Sequence, residues 1–130
     1  MKFDQIMEKV EIKNSGSIYE YLFLNVDEES KIEYSNGNKF WRRNYKRHRT
    51  DGPASERSDG NKFWKLNDKL HRTDGPAMEW ADGDKEWFLN GNRHRADGPA
   101  IEYSNGSKYW WLHGKEYSEE DFNEKVKNEI

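Results

Sequence analysis

HRTDGPA occupies residues 48–54, returns at 71–77, and appears again as HRADGPA at 94–100, each time 23 residues further on. A catalytic motif needs only one copy, and a plain turn does not need His and Arg every time. Set out in rows of 23, the chain shows further columns. Glu33, Glu56, Glu79 and Glu102 align, followed by Gly37, Gly60, Gly83 and Gly106. Lys39, Lys62, Lys85 and Lys108 come next, then Trp41, Trp64, Trp87 and Trp110, and then Asn44, Asn67 and Asn90, with His113 breaking the last column. Four rows at one period define a repeat protein.

Each row carries its own structural signals. IEYSNG, SERSDG, MEWADG and again IEYSNG place Asn-Gly or Asp-Gly after a short strand-like stretch. That dipeptide predicts a two-residue hairpin turn with both central residues at positive φ. The return segment, such as KYWWL at 108–112, is aromatic and suits a pleated surface. Asp-Gly-Pro then breaks the strand, because Pro cannot donate to a ladder. Period-two alternation puts Trp110 with Leu112, Trp87 with Leu89 and Trp64 with Leu66, predicting Trp and Leu ladders on one inner face.

The ends depart from the pattern, as capping rows must. SIYEYLFL at 17–24 reads as an extra strand, and Phe3, Ile6, Met7 and Val10 have helical spacing. SEED at 118–121, followed by Phe122 and Val126 on one face, predicts a capped helix. The expected fold is mainly β, a single-layer array of antiparallel hairpins with short terminal helices. Residues 1–30 form an N-terminal cap of helix and strand, 31–117 the repeats, and 118–130 a capping helix.

Residues 31 to about 117 resemble MORN repeats, which are also 23-residue hairpin units. The resemblance is carried by Tyr103-Ser-Asn-Gly106 and by Trp87-Phe-Leu-Asn-Gly91-Asn-Arg-His94. The usual His-Gly-x-Gly is replaced here by His-Arg-x-Asp-Gly-Pro-Ala, a variant similar to repeats in uncharacterised bacteriophage and large-DNA-virus proteins. The resemblance implies an elongated, twisted array used for binding, often to proteins and sometimes to anionic lipids, without catalytic activity.

Hydrophobic residues make up 32% of the 130, charged residues 36%, and mean hydropathy is −1.34. So little apolar matter favours disorder, but an aromatic fraction of 15% provides for a thin aromatic core. There is no Cys, no apolar run of the ~20 residues that a membrane helix requires, and no signal-peptide pattern. A cytoplasmic setting is expected, the host cytoplasm if the chain is phage-encoded.

Net charge is −3, unevenly spread. Residues 1–30 carry three Lys and seven acids, whereas residues 31–117 carry seventeen Lys and Arg against thirteen acids. The sharpest feature is KFWRRNYKRHR at 39–49, with six Lys and Arg, three aromatics and no acid.

The phrase supports several chemistries unequally. His48, His71 and His94 cannot share a metal, because strands spaced ~4.8 Å apart hold equivalent imidazoles roughly 10 Å apart, too far for ligand bonds of ~2 Å. No cofactor or metal is therefore expected. Identical recurring sets do not make an active site, which needs different groups converging on one point. No nucleophile or phosphate-cradling loop recurs either, so no enzyme activity is expected.

A structural reading has Asp51, Asp74 and Asp97 close their turns. Arg49, Arg72 and Arg95 then pair with that Asp or with the Glu column of the neighbouring row, and the His bonds a backbone carbonyl. The rival reading makes His48, Arg49, His71, Arg72, His94 and Arg95 a row of donors. Arg42, Arg43, Lys46 and Arg47, beside Trp41 and Tyr45, form the strongest patch. With a pI near 5.8, duplex DNA is not an expected partner. The expected function is a binding module for a protein. The alternatives are a counter-defence protein sequestering a small anion or nucleotide and, more weakly, an antitoxin-like partner. The acidic ends also allow self-association into a homo-oligomer.

Overall fold

Two kinds of turn set the architecture of this computed structural model, which describes residues 7–13, 17–23 and 28–128. The first kind sits at the Asn-Gly and Asp-Gly dipeptides, where Tyr34 N–H donates to Asn38 O at 2.9 Å and Gly37 N–H to Tyr34 O at 3.0 Å. Three residues, not the expected two, lie inside the loop, and only the Gly has positive φ (96° at Gly37, 100° at Gly60). The physical reason is a side-chain bond. Asn36 Oδ1 accepts from the Asn38 N–H at 2.9 Å, and Asp59, Asp82 and Asn105 repeat this in later rows. The side chain closes the turn, so only the third residue needs the left-handed region.

The two-residue turns with both positions at positive φ occur instead at the Asn column. They are Asn44-Tyr45 (52° and 64°), Asn67-Asp68 (50° and 69°), Asn90-Gly91 (49° and 84°) and His113-Gly114 (49° and 80°).

Strands run between these turns. In the cap, β1 is Met7–Lys13 and β2 is Ser17–Phe23. In the first row, β3 is Ser30–Glu33, β4 Lys39–Arg43 and β5 Lys46–Arg47. In the second, β6 is Ser55–Glu56, β7 Lys62–Phe63, β8 Lys65–Leu66 and β9 Lys69–Leu70. In the third, β10 is Met78–Glu79, β11 Lys85–Glu86, β12 Phe88–Leu89 and β13 Asn92–Arg93. In the last, β14 is Ile101–Glu102, β15 Lys108–Leu112 and β16 Lys115–Tyr117, followed by helix α1, Glu119–Asn128. One antiparallel sheet runs in chain order from β3 and β4 through β6, β7, β10, β11, β14 and β15 to β16.

The register explains two of the sequence columns. Glu33 faces Lys39, Lys39 faces Glu56, Glu56 faces Lys62, and the alternation continues through Glu79, Lys85 and Glu102 to Lys108. Every strand therefore presents the opposite sign to both neighbours, an arrangement that stabilises a sheet where like charges would not. One residue along, Ile32, Phe40, Ser55, Phe63, Met78, Glu86, Ile101 and Tyr109 form the corresponding file on the other face. Of these, Ile32, Phe40, Ser55, Glu86 and Ile101 are buried, whereas the Trp column is only half-buried. The Trp and Leu ladders share a face as expected, but they are not the most buried face. The charged ladder shares their side of the sheet.

At Trp64 and Trp87 the chain leaves this sheet, whereas β4 and β15 run on through Trp41 and Trp110. The Trp64 N–H donates to Ala77 O and the Trp64 carbonyl accepts from the His71 N–H. Beyond it, β8–β9 and β12–β13 form small hairpins joined to their neighbours by main-chain bonds such as Asp68 N–H to Arg47 O and Arg72 N–H to Phe88 O. Ala77 and Ala100 sit at these junctions, and Ala54 at the equivalent place beside Trp41, all fully buried.

The helix expected at the start does not form over Met7–Lys13. That segment is a strand whose seven residues all pair with β2, with Val10 opposite Glu20 and Ile12 opposite Ile18. The period-two alternation of Lys9, Val10, Glu11, Ile12 and Lys13 prevails over helical spacing of the few apolar positions. Phe3, Ile6 and Leu24 lie outside the described residues. At the other end the capped helix is present. Ser118 Oγ accepts from the Asp121 N–H at 3.1 Å, Phe122 is buried, and acids in the first turn with Lys125 and Lys127 in the last complement the helix dipole.

Candidate functional site

The heptapeptide builds one compact motif three times. The Arg49 guanidinium carbon lies 3.8 Å from the centre of the Trp41 ring, Arg72 3.9 Å from Trp64, and Arg95 4.0 Å from Trp87. Behind each guanidinium is the Gly of the phrase. A Cβ on Gly52, Gly75 or Gly98 would come within 2.7, 2.8 or 2.9 Å of that carbon. Glycine is needed here for room.

The Arg Nε donates to the Asp two residues on, at 2.9 Å in all three rows. Nη1 donates to the carbonyl of Pro53, Pro76 or Pro99 at 3.0–3.1 Å. Nη1 also lies 3.6–3.8 Å from Glu56, Glu79 or Glu102 in the next row. The Arg thus meets both expected partners. Its hydrogen bond, followed by its charge, holds the Asp51 and Asp74 carboxyls below the ordinary carboxylate range.

The His behaves differently from expectation. It does not donate to a carbonyl; its Nδ1 accepts the main-chain N–H of the following row's turn. The donors are Asn67 for His48 at 3.0 Å, Asn90 for His71 at 2.9 Å, and His113 for His94 at 3.0 Å. Two-residue turns leave that N–H pointing at the previous row, and only an unprotonated ring nitrogen can receive it, which places the ring proton on Nε2. In His48 the Nε2 is buried and has no hydrogen-bond partner among the described residues. A second clip works the same way at the other turn. Asn38, Asn61 and Asp84 accept from the main chain of Ser58, Ala81 and Ser104 at 2.7–2.8 Å. The first loop is tied to the cap by Glu29, which accepts from Thr50 N–H at 3.1 Å and Thr50 Oγ1 at 2.7 Å.

The cationic run 39–49 is divided between the two faces. Lys39 joins the charged ladder, and Trp41 with Arg49 forms the first corner. Arg42 and Arg47 are direct cross-strand partners on the Phe40 side, where the Arg47 guanidinium lies 4.3 Å from the Phe40 ring centre. Arg57, from the next row, approaches the same ring at 5.7 Å. Burial lowers the Arg47 pKa, and the charges of Arg42 and Arg57 act in the same direction. Lys46 is exposed opposite Arg43, and Tyr45 stands at the turn tip, 81% exposed. Arg57 was not among the sequence candidates, although it interrupts a column otherwise made of Tyr34, Trp80 and Tyr103.

Successive corner loops leave crevices between them on the Trp face. One of about 560 Å³, between the first two loops, is lined by Trp64 and Leu66. The next, of about 670 Å³, is lined by Trp87 and Leu89, and Thr73 and Asp74 border both. A third, of about 610 Å³, lies between the last loop and α1, with Trp110, Phe122 and Val126 on its walls. Among the described residues no three His, Cys, Asp or Glu side chains are placed to hold a metal ion. Comparison with family models, curated proteins and solved structures finds no match.

Proposed function

We propose that the chain is a non-enzymatic binding module whose partner is a protein held along the Trp face. The supporting observation is the repetition of the crevices, each with a half-buried Trp and Leu between two walls of loop backbone. A row of equivalent sites on one scaffold lets a partner engage several weak contacts at once, so that effective concentration raises the total affinity. The polar atoms of the phrase are spent on one another and on the next row, which supports a scaffold role rather than a reacting one. The resemblance to MORN repeats points the same way.

A photo-crosslinking residue at Thr73, which borders both crevices, tests this against the same residue at the exposed hairpin tip Ser104. A discrete protein adduct from position 73 and none from 104 is expected in cells that express the chain. Equal adducts from both, or none from 73, would overturn the reading.

A further inference from the structure

We propose that Arg42, Arg47 and Arg57 form a binding site for the phosphate group of a small soluble ligand. The inference does not rest on the protein-binding reading, since these side chains gather on the Phe40 side of the sheet and the crevices lie on the Trp side.

The first reason is what the fold does at the same positions elsewhere. Arg42 and Arg47 face each other across β4 and β5. The equivalent pairs are Lys65 with Leu70, Phe88 with Arg93, and Trp111 with Glu116. Arg57 corresponds to Trp80 and Tyr103. Apolar and aromatic residues therefore satisfy the architecture at each of these places. Only the first row sets two cations directly opposite, an arrangement that destabilises a sheet.

The second reason is that no described residue forms an ion pair with Arg42, Arg47 or Arg57. In the third row Arg93 is answered by Glu86 at 3.1 Å, but the residue corresponding to Glu86 in the first row is Phe40. Asp68, the carboxylate whose charge acts on Arg47, accepts from the Arg47 main-chain N–H at 2.6 Å. Burial against Phe40 also strips water from Arg47, which strengthens its attraction for an anion. Arg57 is exposed, so the cluster opens to solvent. Planar guanidinium forks match the oxygens of a phosphate, and several of them can share one dianion.

The test is titration of the intact chain with inorganic phosphate, pyrophosphate and AMP at low salt, followed by calorimetry and by the Arg Nε–H signals in NMR. Saturable binding that weakens as salt is added is expected. Equal affinity for phosphate and AMP would mean that the site reads phosphate alone, and tighter AMP that a nucleoside adds contacts. Arg47→Leu and Arg57→Tyr, which copy Leu70 and Tyr103, should each weaken binding by about tenfold or more while keeping the β spectrum. Arg93→Gln should leave affinity unchanged. The proposal fails if no probe binds saturably, or if both Arg variants bind as the parent does. Should a variant not fold, the parent decides: phosphate must shift the Nε–H signals of Arg42, Arg47 and Arg57, and their indifference would overturn the site.

Discussion

Gly75→Ala in the middle repeat tests how the heptapeptide works. The added Cβ would sit 2.8 Å from the Arg72 guanidinium carbon and 3.1 Å from Nε and Nη1. The end of a long side chain ordinarily moves aside, but this one is backed by the Trp64 ring at 3.9 Å and tied to Pro76 O at 3.0 Å. Moving it sacrifices a hydrogen bond from a charged donor, about 1.5 kcal/mol, and a stacked cation, about 0.5–1 kcal/mol. The Asp74 contact is exposed and screened by water, so it adds little. Gly75 does not have positive φ, and Ala there stiffens the unfolded chain, returning about 0.4–1 kcal/mol. The net expectation is a loss of about 1–2 kcal/mol by urea denaturation. The decisive measurement repeats the substitution in an Arg72→Ala background, where the guanidinium is gone. There Gly75→Ala should be neutral or stabilising. An equal loss in both backgrounds would refute the stacked arrangement as the reason for the glycine.

Tyr45 occupies a left-handed position that Gly91 and Gly114 fill in later rows, so Tyr45→Gly should stabilise the chain by about 1 kcal/mol, read from its urea midpoint. Removing the acceptor with His71→Ala should cost about 1 kcal/mol and speed hydrogen exchange at the Asn90 amide specifically. Arg49 and Arg72 depress Asp51 and Asp74, so the unfolded chain takes up those protons first. Their contribution is complete above the unfolded value of about 3.9 and is lost as pH falls through the lower folded values. An acid series of melting temperatures on the parent and on Asp74→Asn, which should show a shallower decline, checks this. Phe122→Ala should cost about 3–5 kcal/mol and release α1, seen as loss of the helical part of the circular dichroism.

The period, the hairpins and the capped helix were legible because each depends on residues close in sequence. SEED before Phe122 is a local cap, and a column repeated four times reports its own stacking. What could not be read depends on which atoms meet across rows. The Glu and Lys columns were visible, yet only the register shows that they interleave into one alternating ladder. The choice between two- and three-residue turns turned on whether Asn36 would bond its own main chain. The His partner was missed because the donating N–H belongs to a turn 19 residues away. Arg57 was missed because it reaches back to Phe40 in the previous row. At the start, four apolar residues at helical spacing outweighed the alternation of charge in 9–13, and the strand pairing over Met7–Lys13 reverses that judgement.

The two recurring side-chain clips reach in one direction. Among the described residues the one clip that runs the other way, from Arg47 N–H to Asp68, is not repeated because Gly91 and Gly114 hold the later positions. His48, His71 and His94, like Asn38, Asn61 and Asp84, each accept an N–H from the row that follows. The array therefore has a polarity, like bricks with a socket on one end and a stud on the other. Tyr117 stands where the next His would fall, and it has no ring nitrogen to offer, so the series closes there. A chain shortened by one whole period, with His71 joined directly to Arg95, would bring every remaining socket to an equivalent stud. A deletion one residue shorter would leave each downstream N–H facing the wrong atom. Length in this molecule can change in whole rows, and evolution or design can lengthen or trim it without rebuilding a core.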